Sequence, residues 1–208
     1  MSQAAMIFQS VKFVREHHGL KAIPAFLFQS AIEDISGYIL IGALKDAIPP
    51  VPPKLPLEIR EATPEDAPKF SRIIPPIRIQ RFVRKMRAGE RCGIGLLNDE
   101  VVYFAWASFA GQPTAIESPI ELGPKDVYFW GAYCMPEYRR FGVSVSVSSY
   151  HEDLMRQLGY ETGCRIVKFK NVPSQKLCEK LKLRIIGRGY GVRIMKWRVY
   201  HRIMYDDQ

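Results

Sequence analysis

The stretch VYFWGAYCMPEYRRFGVSVS, residues 127–146, decides how the chain is interpreted. Its first half, residues 127–135, is rich in aromatic residues and is typical of a β-strand. After Pro136 comes RRFGVS, residues 139–144, which we call the glycine loop, and the pattern then predicts a helix to about Gly159. Backbone N–H groups at a helix N-terminus attract anions, so a strand, a basic glycine turn and a helix together favour a phosphate-binding site.

The segments on either side alternate between strand and helix patterns. Thr63 is a candidate helix N-cap because proline and two acids follow it, and the turn Asn98-Asp99 predicts a hairpin. The other predicted elements are strands at Leu57 to Arg60, Cys92 to Leu97, Glu100 to Ser108, Thr162 to Lys170, Arg184 to Gly187 and Tyr190 to Tyr200, and helices at Arg78 to Arg87 and Ser174 to Leu181. This order predicts a mixed α/β fold without internal repeats.

The N-terminal part of the chain has its own pattern. Helical spacing predicts a short amphipathic helix over residues 3–18 and a second helix from about Pro24 to Ile35, with a strand at Tyr38 to Ile41. Docking on the main domain is the favoured role of these helices, with membrane-surface attachment as the rival. The segment IPPVPPKLP must be extended. We therefore expect an N-terminal helical extension (1–47), a proline-rich linker (48–56) and a main domain (57–208).

The same region shows no membrane or targeting signal. The N-terminus lacks a basic leader followed by a long apolar block, so a signal peptide is not expected. In the most apolar stretch, Ala22 to Leu44, Glu33 and Asp34 would lie near mid-bilayer at a cost of about 2.5 to 3.5 kcal/mol each. We expect no transmembrane span.

Composition limits the class of protein further. The chain has 208 residues, 47% of them hydrophobic and 25% charged, which fits one packed domain and argues against a disordered or disulfide-rich protein. The four cysteines lack close pairs, which predicts reduced thiols in a cytoplasmic protein and no structural metal. The net charge of +9, concentrated in part between residues 184 and 208, suits an anionic ligand as well as it suits nucleic acid.

With these motifs in place, the sequence resembles the GCN5-related N-acetyltransferase (GNAT) superfamily. The signature of that family is a strand ending V-x-P and then (Q/R)-x-x-G-x-(G/A) at a helix start, and the chain has Cys134-Met135-Pro136 and the glycine loop there. Arg140 replaces the usual glycine, and Ser144 replaces glycine or alanine. The resemblance covers about two-thirds of the chain. It implies a mixed, mostly antiparallel central sheet flanked by helices, the GNAT-like acyl-CoA N-acyltransferase fold, with an N-terminal helical extension.

The resemblance also implies how the cofactor binds. The glycine loop would hold the diphosphate of acetyl-CoA or another acyl-CoA, and the preceding strand would pair with the pantetheine amides. A second family signature, Asn171 and Ser174, would lie near the pantetheine arm or the adenosine phosphates. The cofactor-binding residues expected are Ala132, Cys134, Arg139, Arg140, Phe141, Gly142, Val143, Ser144, Asn171 and Ser174, with no metal site.

The layout of the whole chain is similar to a bacterial subgroup found with polysaccharide or cell-envelope gene clusters. In that subgroup an N-terminal helical segment and a proline-rich linker precede L-x-x-R-x-A-T-P-E-D, which matches residues 57–66. The hairpin pattern G-(D/E)-R-C…W matches Gly89 to Cys92 and Trp106.

The acid–base residues usual in the family are missing. Gly131 stands where related sequences often carry an acid, and Cys178 replaces the usual tyrosine of the second signature. The catalytic candidates are Tyr133, beside the expected thioester, and Cys178, since a thiol with a pKa of about 8.5 can protonate a thiolate. Each also fits a packing role. Tyr128 would point to the opposite face of the strand from Tyr133.

Several further residues have two interpretations. Glu90, Arg91, Tyr103 and Trp106 could line the acceptor side of the site, although the two aromatics favour the core. We interpret His151 on the helix after the glycine loop, like His17 and His18 in the N-terminal region, as a solvated or capping histidine rather than a general base.

The leading functional hypothesis is an acyl-CoA-dependent N-acyltransferase, with acetyl-CoA as the expected donor and a small-molecule amine as acceptor. A variant uses a long-chain acyl donor or an acyl carrier protein, which the basic surface would suit. The alternative is a noncatalytic acyl-CoA-binding or regulatory protein, favoured by Gly131 and Cys178. Nucleic-acid binding is not expected, and a homodimer remains open.

Overall fold

The structure is a computed structural model that describes residues 11–12, 14–16, 19–21, 24, 32–112, 114–115, 120–194 and 197–205. Its nine strands form one sheet in the order β1-β8-β2-β7-β6-β5-β4-β3, with β9 paired to β8. The strands are β1 (Ile32–Asp34), β2 (Gly37–Ala43), β3 (Glu58–Glu61), β4 (Arg91–Leu97), β5 (Glu100–Phe109), β6 (Asp126–Cys134), β7 (Thr162–Val167), β8 (Arg184–Ile194) and β9 (Trp197–Met204). The helices are α1 (Pro76–Arg87), α2 (Val143–Gln157) and α3 (Val172–Lys180), with 3-10 turns at Leu44–Asp46, Pro64–Phe70 and Pro136–Tyr138.

The sheet is mostly antiparallel and carries helices on both faces. Among the described strands, β6 and β7 form a parallel pair, as expected for strands linked by a crossover helix. On one face α1 covers an aromatic core in which the Phe82 ring packs edge-on against Phe104 and Trp106. On the other face α2 buries Val143 and Val147 against Tyr103. The predicted mixed sheet flanked by helices is confirmed.

Strand β2 lies inside the sheet. It pairs antiparallel with β7 along Tyr38–Ala43 and with β8 along Gly37–Ile41. Ile39 and Leu40 are buried accordingly. The segment predicted as an N-terminal extension (1–47) thus contributes a central strand, while the division into 1–47, 48–56 and 57–208 stays a prediction.

The proline-rich segment that follows runs along α2. The Val51 amide donates to Ser149 Oγ of α2 at 3.0 Å. Leu55 packs against the cluster that contains Val143 and Val147. The segment has no helix or strand and bends at Lys54 and Leu55. It connects β2 to β3 while it contacts α2.

Several local predictions can be compared with the structure. The hairpin between β4 and β5 is confirmed, because Asn98 and Asp99 both have positive φ, as a type I′ turn requires. Thr63 caps a 3-10 helix through a capping box with Asp66. The helix predicted to reach Ile35 is wrong at its end, because residues 32–34 form strand β1, which pairs with β8. Residues 25–31, most of the helix predicted over 3–18, and His17 and His18 lie outside the described residues.

The two predicted C-terminal strands are divided differently in the structure. Residues 184–194 form a continuous β8, and the second half of the strand predicted over Tyr190 to Tyr200 belongs to β9, which pairs antiparallel with β8 from Gly187 to Ile194. Gly187 and Gly189, predicted as a break, lie within β8, where β9 approaches so closely that a Cβ at either position would clash with its atoms. Among the described helices, none is long and apolar enough to cross a membrane.

Candidate functional site

Strands β6 and β7 separate and open a cleft. They pair only from Asp126–Thr162 to Tyr128–Cys164. Beyond that point β6 continues to Cys134, and Gly131 and Ala132 are exposed. Gly131 has φ +63 where the register between β5 and β6 shifts, so a bulge bends β6 here. The backbone of β6 beyond Tyr128 is therefore not paired to β7, and we call this gap the β6–β7 cleft.

The glycine loop lies at the open end of the cleft. Gly142 is the N-cap of α2 with φ +81, and no side chain caps the helix start. The N–H groups of the first turn are therefore free to bind an anion. Arg139 and Arg140 are exposed beside them, and Arg139 Nε donates to the Cys134 carbonyl at 3.2 Å. The loop combines a positive helix end with two cations.

The other predicted cofactor residues surround the same end of the cleft. Ser144 hydrogen-bonds to the half-buried Cys134 thiol. Burial raises the pKa of this thiol above its ordinary value, and the hydrogen bond offsets part of that rise. Asn171 caps α3, since its Oδ1 accepts the Ser174 amide at 3.3 Å. Helix α2 follows the carboxyl end of β6, and helix α3 follows the carboxyl end of the parallel strand β7. Both helix N-termini therefore lie at the same end of the sheet.

The two predicted catalytic residues are not brought together. The Tyr133 ring stacks on Phe104, on the face that α1 covers, with 6.0 Å between ring centroids. Cys178 belongs to α3 on the other face, is 1% exposed and packs with Leu40 and Val167. Burial raises the pKa of the Cys178 thiol. These positions fit the packing roles that the sequence also allowed for Tyr133 and Cys178, and their catalytic assignments stay predictions.

Restoring the usual acid and base would conflict with this structure. A Cβ at Gly131 would lie 3.3 Å from Trp106 Cδ1, at a φ that side chains rarely adopt. A tyrosine in place of the buried Cys178 would overfill its cluster.

Polar groups are buried next to the cleft, and sequence reasoning did not anticipate them. Glu152 of α2 forms an ion pair with Arg165 of β7, and both are nearly inaccessible to solvent. The Tyr103 hydroxyl and Ser148 Oγ are 3.1 Å apart. His151 is buried, not solvated as predicted, and its pKa is lowered to about 3, chiefly by desolvation. The sequence signal that could have revealed this burial is the helical spacing of α2, which places positions 148, 151, 152 and 155 on one inner face.

The face under α1 holds a second polar network. Glu90 is 2% exposed and accepts hydrogen bonds from Ser108 Oγ at 2.9 Å and Thr114 Oγ1 at 2.8 Å. Trp130 Nε1 donates to the same Ser108 hydroxyl at 2.7 Å, and Lys85 Nζ lies 4.6 Å from the Trp130 ring centroid. This network connects Glu90 to β6 just before the bulge.

The other acceptor-side candidates have structural partners. Arg91 pairs with Glu61 of β3. Trp106 is fully buried under α1, and Tyr103 is buried under α2, as their core interpretation predicted. In the described residues, no group of three or more His, Cys, Asp or Glu side chains could hold a metal ion.

The mostly antiparallel sheet, with a glycine loop at the start of the helix after a splayed parallel pair, is the fold that the resemblance to the GNAT superfamily implied. No family model matches the sequence, and no curated protein does. Among solved structures, a Drosophila protein from structural genomics is 14% identical with a TM-score of 0.53, over 80% of this chain and 55% of that one. This chain therefore spans about half the length of the Drosophila protein.

Two enzymes are among the other similar structures. An aminoglycoside N-acetyltransferase in complex with CoA is 17% identical, with a TM-score of 0.49 over 60% of this chain and 89% of that one. A GNAT-superfamily phosphinothricin acetyltransferase from Sinorhizobium meliloti in complex with AcCoA is 20% identical, with a TM-score of 0.47 over 60% and 73%. At these identities the likeness concerns the fold.

Proposed function

We propose that this chain is an acyl-CoA-dependent N-acyltransferase that transfers an acetyl group from acetyl-CoA to a small-molecule amine. The observation that carries the proposal is the β6–β7 cleft, which leads from a stretch of β6 that is not paired to β7 to an uncapped helix start flanked by two exposed arginines. This arrangement fits an extended ligand with amides at one end and a diphosphate at the other.

Each part of the site has a role in this proposal. The amides of residues 141–144 and the cations of Arg139 and Arg140 bind the diphosphate. The free edge of β6 at Ala132 and Cys134 pairs with the pantetheine amides, which positions the thioester near the Gly131 bulge. Asn171 holds the start of α3 in place, and Ser174 lies beside it at the same end of the cleft.

Direct attack of a neutral amine on the thioester then requires mainly orientation and stabilisation of the developing oxyanion by β6 amides. In this proposal water relays the proton from the attacking amine to the sulfur of CoA, which leaves as the thiol when its bond to the acyl carbon breaks, because the described residues place no carboxylate at the bulge, where Gly131 stands. Glu90 accepts a hydrogen bond from Ser108 and pairs with Lys85, and so holds both side chains next to Trp130 of β6.

The test is calorimetric titration with acetyl-CoA, CoA and a long-chain acyl-CoA. Gly142→Asp places a negative charge against the diphosphate and should weaken acetyl-CoA binding at least ten-fold. Gly159→Asp is the matched control, because Gly159 follows the C-terminus of the same helix with φ +90 and an equally open Cβ position. Equal affinity in both variants, or no binding of any CoA form at high micromolar concentration, would refute the proposed site.

A noncatalytic acyl-CoA-binding protein is the second candidate, favoured by Gly131 at the usual position of the acid and by the burial of Cys178. It predicts tight acetyl-CoA binding without thiol release in the presence of a panel of primary amines. Amine-dependent release of CoA thiol, abolished by Gly142→Asp, would exclude it.

A further inference from the structure

A buried ion pair lies where the β6–β7 cleft closes. The last paired residues are Tyr128 and Cys164, and the next residue of β7 is Arg165. Arg165 is 7% exposed, and its side chain crosses from β7 to β6, since its Cζ lies 4.9 Å from the Phe129 ring centroid. Its guanidinium is paired with Glu152 of α2. The base of the cleft is therefore filled by a charged pair.

The pair lies at the meeting point of several elements. The charge of Arg165 acts on Tyr103 of β5 and on Cys178 of α3, and in both cases it lowers a pKa that burial raises. Arg165 Nε is buried and has no hydrogen-bond partner among the described residues. One N–H of the guanidinium is thus left without an acceptor.

A pocket lies on the far side of the pair. Its volume is about 310 Å³, and Glu152 forms part of its wall. Most of its lining is apolar or small, and the charged residues Asp46, Glu152, Lys182 and Arg184 also line it. The apolar part of the pocket would suit a hydrocarbon chain. Because Arg165 lies at the base of the cleft and Glu152 borders the pocket, the ion pair lies between the two.

We infer that the Arg165–Glu152 pair bounds the acyl subsite and restricts the donor to short acyl groups such as acetyl. The inference rests on the proposed function. A donor whose diphosphate is held by the glycine loop and whose arm follows β6 directs its acyl group toward Phe129 and Arg165. A long chain could reach the pocket only by separating two buried charges, and each of them would then lose its partner in a low-dielectric interior.

The experiment measures dissociation constants of acetyl-CoA and octanoyl-CoA by calorimetry. Wild type should bind acetyl-CoA at least ten-fold more tightly than octanoyl-CoA. The double variant Arg165→Ala/Glu152→Ala removes both charges together and connects the cleft to the pocket, so this preference should fall at least ten-fold. Lys125→Ala/Glu161→Ala removes an exposed ion pair and should leave it unchanged.

The outcomes separate the two proposals. If wild type binds no form of CoA, the proposed function fails. If wild type binds both donors equally, or if the folded double variant keeps the wild-type preference, only the acyl-length inference fails. Should the alanine variant not fold, Arg165→Met/Glu152→Leu keeps the volume without the charges. In that variant a loss of the acetyl preference supports the inference, and an unchanged preference overturns it.

Discussion

Arg140 has a backbone conformation that its residue type disfavours. Its φ is +72, two positions before Gly142 at φ +81. The sequence identified both residues as part of a phosphate-binding turn, because arginines and a glycine precede a helix pattern. It did not reveal the strain at Arg140, since positive φ at a residue other than glycine has no signature in a single sequence. A charge that acts on the ligand would account for an arginine in such a conformation.

Arg140→Gly should therefore stabilise the fold and weaken the ligand site. Relief of the strained φ is worth about 0.5 to 1 kcal/mol in the free energy of unfolding, after allowance for the greater freedom of glycine in the unfolded chain. Loss of the cation should weaken CoA binding several-fold. Urea unfolding and calorimetry measure the two effects.

Lys182→Gly is the matched control for that prediction, because Lys182 also has positive φ, +60, but follows α3 at its far end. This variant should gain similar stability without a change in CoA affinity. A loss of stability in Arg140→Gly, or equal loss of affinity in both variants, would contradict the prediction.

At the scale of elements, α2 stands out because its inner face is polar. Ser146, Ser148, Ser149, His151 and Glu152 are all buried on it. Of these, His151 has no hydrogen-bond partner for either ring nitrogen among the described residues. It packs against the edge of Phe129, and Arg165 and Arg91 disfavour its protonation. The folded protein therefore holds His151 neutral.

This burial predicts a loss of stability in acid. The pKa of His151 is about 3 in the folded state and about 6.5 in the unfolded chain. The unfolded state therefore binds the proton first, so stability is complete above pH 6.5 and falls as the pH decreases. By pH 5 the loss is about 2 kcal/mol. Urea unfolding between pH 5 and 8 measures it.

His151→Leu should flatten that dependence on pH, because leucine fills a similar volume and does not titrate. His201→Leu, at an exposed histidine of β9, should keep the wild-type slope. An unchanged slope in His151→Leu would show that other groups cause the acid sensitivity.

The elements differ in how far the sequence predicted them. Strands β4, β5 and β6 were found within a residue or two, because aromatic and β-branched runs between turn residues are a local signal. The Arg165–Glu152 pair was not found, because it joins a helix and a strand whose packing is not a local property. Tyr133 and Cys178 were chosen from the family pattern, and their opposite faces became visible only when the sheet was assembled.

At the scale of the whole molecule, the sheet is continuous from β7 to β8 only because β2 lies between them. Residues 37–43 separate β7 from β8 and hydrogen-bond to both. The proline-rich segment suggested a boundary at residue 48, since composition changes there. No sequence pattern shows which strands pair across more than a hundred residues, so the position of β2 was beyond local reasoning.

A chain that starts at Ile48 should not reach the native fold. It lacks β2, and it leaves the facing edges of β7 and β8 unpaired and their buried side chains exposed. We expect aggregation or a loss of the cooperative thermal transition, measured by circular dichroism and size-exclusion chromatography. A chain that starts at Ser36 keeps β2 and should fold. A native-like transition in the shorter chain would show instead that residues 57–208 form an independent domain.

The central place of β2 also affects the synthesis of the protein on the ribosome. Its strand is made before both of its neighbours, Thr162–Val167 and Arg184–Ile194, which are translated more than a hundred residues later. At the usual speed of synthesis the delay is roughly ten seconds. Throughout that interval the apolar run Tyr38 to Ile41 has neither partner strand. The nascent chain therefore needs protection, by a chaperone or by provisional contacts, until its last third emerges.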